Sequence, residues 1–132
     1  MANAYSTGEK ETRGWGDFEV LHTGNTHTCK VLCVKPHCCL SLQAHQYRAE
    51  HWIVVRGTAT VQLDEEVFEV PVHKHIFINK KQIHCLANNT EKDLVLIEVQ
   101  TGDVLDETDI TRYTQTKNLI RKTREKCLQG VK

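Results

Sequence analysis

The sequence predicts an all-β domain, a sandwich or small antiparallel β-barrel. Three observations carry this. Short runs of β-type residues follow one another from residue 17 to residue 100. Turn signals separate them closely, and no ten-residue helical pattern comes between them. The last point argues against a parallel sheet with crossover helices.

The runs are, in order, DFEVLH (17–22), HTCKVLCVK (27–35), LSLQAH (40–45), EHWIVV (50–55), TATVQL (58–63), EVFEV (66–70), HIFIN (75–79), IHCLAN (83–88) and LVLIEVQ (94–100). Each is rich in β-branched or aromatic residues and short enough to be one strand. Asp64-Glu65 separates two of them and predicts a tight hairpin. Residues 1–12 are polar and read as a disordered tail, which leaves 13–113 as the folded domain. Residues 114–132 differ in kind. Leu119, Ile120, Cys127 and Leu128 fall near one helical face, and lysines and arginines fall on the other. A C-terminal helix over about 116–129, packed on the sheets, is expected.

The 132 residues carry 17 basic and 17 acidic side chains, so no net field favours nucleic acid. No apolar run is long enough for a membrane span, and the N-terminus lacks the apolar core of a signal peptide. A cytoplasmic location is expected. The six cysteines form no CxxC pair and read as small apolar residues, with Cys85 the one that could touch a site through its neighbour His84.

The stretch SLQAHQYRAEHWIVVRG (41–57) holds the chemistry. Side chains two apart on a strand share a face, so Gln43 and His45 point together. Glu50 returns a carboxylate after a short bend. His84, at the start of a later strand, supplies a distant second imidazole. Two nitrogens, a carboxylate and an amide oxygen make a mixed donor set suited to zinc, manganese, iron, cobalt or nickel. With eight histidines in the chain, accidental spacing explains QxH equally well. A second HxH, His73 and His75, sits in a charged loop and reads as surface.

These residues resemble the cupins, whose motifs are commonly written G-x5-H-x-H-x4-E-x6-G and G-x5-P-x-G-x2-H-x3-N. The first maps from His37 through Gln43, His45 and Glu50 to Gly57, and the second from His73 through Asn79 and Lys81 to His84 and Asn88. Every interval is intact. Within the cupins, LSLQAHQYRAEHWIVVRGTA is similar to the C-terminal domain of type II phosphomannose isomerases, the bifunctional mannose-6-phosphate isomerase/mannose-1-phosphate guanylyltransferases. RGWGDFEVL, LIEVQTG and DITRY extend the resemblance over about residues 13–113. It implies a double-stranded β-helix, or jelly roll, with a divalent metal, zinc before manganese, cobalt, iron or nickel, held by Gln43, His45, Glu50 and His84. It also implies metal-assisted interconversion of mannose 6-phosphate and fructose 6-phosphate in polysaccharide-precursor metabolism.

Within that frame Arg48 is the local cation for a sugar phosphate, unless it pairs with Glu50 or Glu98. Glu98 is the candidate base by its place on a late strand. Trp52 is expected in the core, and His51 to face out. A homodimer is expected, since pairing would cover a sheet edge.

The departures matter. His37, His73 and Lys81 stand where the motifs carry glycine, so other turn chemistry is expected there. The segment after Tyr113 differs from the family pattern. The chain holds no glycine-rich nucleotide loop, so guanylyltransferase activity is not expected of it. A sugar- or nucleotide-sugar-binding cupin without catalysis, a regulatory partner of a separate nucleotidyltransferase, and a metal-dependent dioxygenase remain the alternative readings.

Overall fold

The computed structural model describes residues 3–113 and 119–120. Eleven strands run β1 (Lys10–Arg13), β2 (Gly16–Thr23), β3 (His27–Val34), β4 (Gln43–Ala44), β5 (Arg48–Arg56), β6 (Thr58–Leu63), β7 (Glu66–Pro71), β8 (His75–Ile78), β9 (His84–Ala87), β10 (Leu94–Gly102) and β11 (Thr111–Arg112). A six-stranded sheet has the order β1-β2-β3-β10-β5-β8, and a five-stranded sheet the order β11-β4-β9-β6-β7. Their ladders are antiparallel.

Of the expected sandwich or small barrel, the structure has the sandwich-like form, two facing sheets, and no closed barrel forms among the described residues. No ladder among the described residues joins one sheet to the other. The strands between them alternate cleanly. In β3, Thr28, Lys30, Leu32 and Val34 are buried while their neighbours are half-exposed. In β10 the buried set is Leu94, Leu96, Glu98 and Gln100. Period-two burial is what one solvated and one packed face require. Phe18, Leu32, Val34, Trp52, Val54, Leu94 and Leu96 of the larger sheet meet Ala59, Val61, Val70 and Leu86 of the smaller one in the main core. Trp52 is buried and His51 exposed, as their parity requires.

The hairpin at Asp64-Glu65 forms, with Leu63 opposite Glu66 and Asp64 at φ 53°. Residues 3–12, expected to be a free tail, are packed instead. Asn3 Nδ2 donates to Thr28 Oγ1 at 2.6 Å and to His27 O at 2.9 Å. Tyr5 is buried in the main core, and β1 pairs with β2. One aromatic ring and one amide suffice to anchor a segment whose composition reads as polar. The run 40–45 contracts to the two residues of β4, because Leu40 N–H bonds Leu86 O outside the ladder and the chain turns at His45.

The C-terminal helix expected at 116–129 lies outside the described residues apart from Leu119 and Ile120. Ile120 is buried in a second cluster with Leu42, Cys85 and Ala87, and Leu119 N–H donates to Gln62 Oε1 at 2.9 Å. Cys85 faces that cluster, so it does not share the side of β9 that carries His84 into the space between the sheets.

The turn expectation is also overturned. His37, His73 and Lys81 take φ of 60°, 75° and 68°. The backbone keeps the left-handed conformation at all three motif positions although none is glycine.

Candidate metal centre

β5 presents Arg48, Glu50, Trp52 and Val54 on its inner face. Glu50 is the hub. Its Oε2 accepts from Arg48 Nε at 2.9 Å, and its Oε1 accepts from Trp52 Nε1 at 2.9 Å. Two imidazoles close on the same carboxylate. His45 Nε2 lies 3.3 Å from Oε2, and His84 Nε2 lies 4.0 Å from Oε1. One donor atom from each of His45, Glu50 and His84 falls within 4.8 Å of the others, and all three residues are buried.

The backbone sets the tautomers. His45 Nδ1 bonds Asp109 O at 2.7 Å, and His84 Nδ1 bonds Gln82 O at 2.9 Å. A carbonyl only accepts, so each Nδ1 carries a proton and each Nε2 is the nitrogen turned to the site. Asp109 does more. Its Oδ1 and Oδ2 accept from the backbone N–H of Gln46 and Tyr47 at 2.8 and 3.0 Å, which fixes the turn after His45. Lys81 N–H adds a 2.6 Å bond to His45 O.

This donor set fits a divalent cation. Two imidazole nitrogens and a carboxylate converge, with Arg48 and Trp52 as the donors beside them; Arg48 Nη2 lies 3.2 Å from His45 Nε2. Burial pushes the His45 imidazole down, which keeps it neutral and available as a ligand. Burial alone would raise the Glu50 carboxyl, but Arg48, His84, His45 and the Trp52 N–H overcome it and hold it at about 2. His45, Glu50 and His84 are thus brought together as expected. Gln43 borders the same cavity opposite His84 in the β4–β9 ladder, but its Nε2 is turned to Ser41 O and Oγ, at 3.2 Å each.

Of its two expected roles, Arg48 shows the pairing with Glu50. It is buried and committed to Glu50, whose charge, with that of Glu98, raises its pKa against the cost of burial. Glu98 faces the same cavity from β10. Burial first, and then the charge of Glu50, push its carboxyl up to about 7, against the pull of Lys30 and Arg48. Its Oε2 accepts from Gln100 Nε2 at 2.6 Å. The cavity measures about 370 Å³ and is also lined by Tyr5, Trp15, Phe18, Lys30, Gln100 and Arg112. Small-molecule sites run from roughly 300 to 1,000 Å³. Lys30, Gln100 and Tyr5 were missed in the sequence. Lys30 and Gln100 share strand parity with Leu32 and Leu96, which was the available signal.

Two facing antiparallel sheets with a His–Glu–His cluster in the space between them define a cupin. The chain belongs to the mannose-6-phosphate isomerase C-terminal family, whose sequence profile matches residues 2–115. It is 45% identical over 101 residues to the alginate biosynthesis protein AlgA of Pseudomonas fluorescens, covering 76% of this chain and 21% of that one. It is 43% identical over 100 residues to the mannose-1-phosphate guanylyltransferase of Salmonella muenchen, again with 76% and 21% covered. The chain spans about a fifth of the length of these relatives. Among solved structures, the Schizosaccharomyces pombe Cnp3 cupin domain superposes with a TM-score of 0.64 at 10% identity, over 66% of this chain and 64% of that chain. That likeness shows the fold alone.

Proposed function

We propose that this domain interconverts mannose 6-phosphate and fructose 6-phosphate, with a divalent metal, zinc first, held by His45, Glu50 and His84. Membership of the family supports the substrate class. The observation that carries the reading is Glu98. It lines the same cavity as the His–Glu–His cluster, and burial together with the Glu50 charge pushes its carboxyl up to about 7.

Aldose–ketose isomerisation moves one proton between C2 and C1 through an enediol. It needs a group that takes and returns a proton near neutral pH. Glu98 has that pKa. Its Oε2 is held by Gln100, so Oε1 is the oxygen available to take the C2 proton and return it at C1. When bound, the metal supplies Lewis-acid stabilisation of the oxyanion that develops as the proton leaves. Arg48 fixes the Glu50 carboxylate, and Trp52 fixes its other oxygen. Those contacts preorganise the ligand set.

Protein reconstituted with zinc, manganese or cobalt should convert mannose 6-phosphate to fructose 6-phosphate, read by NMR or a coupled assay. Conversion with none of these metals would overturn the reading. Binding of mannose 6-phosphate without conversion would make the pocket that of a sugar-phosphate-binding domain.

A further inference from the structure

Lys30 is a buried cation on β3 that the metal cluster does not use. Its Nζ lies 3.8 Å from the centroid of the Tyr5 ring and 4.4 Å from that of Phe18. Among the described residues it makes no hydrogen bond, and no carboxylate oxygen lies within 4.0 Å of it. The natural counter-ion would be Glu98, directly opposite in the β3–β10 ladder. Glu98 instead takes the Gln100 amide, and Lys30 goes to the two rings. Cation–π contact offsets only part of the cost of stripping water from an ammonium.

The other cations of the cavity are placed differently. Arg48 is committed to Glu50, and Arg13 to Glu11 and Glu107 at 3.0 and 3.7 Å. Arg112 is exposed and keeps its hydration. Among the described cations of the cavity, Lys30 alone is buried without a salt bridge, and it lines the cavity together with Gln100, whose buried Oε1 has no hydrogen-bond partner among the described residues.

We infer that Lys30, held between the rings of Tyr5 and Phe18, is the cation that takes the phosphate of the sugar phosphate in this cavity. The inference rests on the sugar-phosphate reading above. Tyr5 is a positioning residue in it. The segment that carries Tyr5 is pinned by Asn3 to His27 and Thr28, and by Ala4 N–H to Leu105 O at 3.1 Å. The N-terminal strap is therefore part of the binding site.

Calorimetric titration of zinc-loaded protein with mannose 6-phosphate, glycerol 3-phosphate and mannose tests this without relying on turnover. Lys30→Met should bind both phosphate esters about 10- to 100-fold more weakly, the cost of losing a charged hydrogen bond. Its binding of mannose should be unchanged. It should melt no lower than the wild type, because an apolar chain replaces an unpaired buried cation. Tyr5→Leu leaves every charge in place and should shift phosphate-ester binding in the same direction. Phosphate-ester affinity within about twofold of wild type in a folded Lys30→Met would overturn the inference. Lys30-dependent binding of glycerol 3-phosphate with no isomerisation would uphold it and remove the isomerase reading. Isomerisation with an unchanged KM in Lys30→Met would do the reverse.

Discussion

His45 Nε2 stands 3.3 Å from Glu50 Oε2 while the other nitrogen of the ring is held by Asp109 O. A neutral imidazole so oriented points a lone pair at a carboxylate, an arrangement that favours a cation between them. Arg48 supplies part of that charge through Nε and Nη2. Arg48→Met should therefore cost the metal-free protein roughly 3–5 kcal/mol, because Glu50 is left buried without its cation. Zinc should recover more stability in this variant than in the wild type. Thermal melts with and without zinc check both statements.

The two buried glutamates act oppositely on stability. Glu50 is lowered from the ordinary 4.5 to about 2, so its contribution is present above 4.5 and is lost as pH falls towards 2. Glu98 is raised from 4.5 to about 7, so the folded state binds its proton more tightly. That contribution is full below 4.5 and is lost as pH rises through 7. Glu98→Gln in chelator-treated protein should be more stable than wild type at about pH 8, and the gap should close near pH 5. Urea unfolding at the two pH values measures it.

Catalysis should follow the same carboxyl. Glu98, the proposed base, would work only when ionised, so kcat should rise with pH to a plateau. The metal's positive charge should place the apparent pKa at or below the value of about 7. Glu98→Gln should lower kcat by about 10²- to 10⁴-fold with little change in binding of mannose 6-phosphate. Steady-state rates across pH decide this. An unchanged kcat in the variant would remove Glu98 from the mechanism.

His73 and Lys81 hold φ of 75° and 68° with side chains that disfavour it. His73→Gly and Lys81→Gly should each stabilise the fold by about 1 kcal/mol, the left-handed penalty less the entropy glycine adds to the unfolded chain. Lys81 also donates its backbone N–H to His45 O, a bond that Lys81→Gly retains. Chemical denaturation of the single variants and the double variant checks the gain and its additivity.

Much of the larger sheet was legible because its strands are packed on one face, and alternation is then forced by the pleat. Val34, Leu94 and Leu96 announce their parity. The hairpin at Asp64-Glu65 was legible from its local turn chemistry. β1 was not, since its residues carry no periodic signal and pair only because the rest of the sheet is present, and β11 showed only through the family-like DITRY. His45, Glu50 and His84 could be gathered by motif spacing. The roles of Arg48 and Lys30 could not, since each depends on which anion lies nearest after folding. Asp109 was invisible for the same reason. It fixes His45 and the following turn across a sequence separation of more than 60 residues.

The central claim is that His45, Glu50 and His84 hold one metal ion. Metal analysis by plasma mass spectrometry, after zinc loading and desalting, tests it most directly. The wild type should carry about one zinc per chain, and His45→Ala and His84→Ala about a tenth of that or less, each having lost a nitrogen that water replaces poorly. Gln43→Ala should keep most of its zinc. His73→Ala, altered at an exposed loop position, should match the wild type. A wild type without zinc, or His45→Ala and His84→Ala with undiminished zinc, would contradict the shared site.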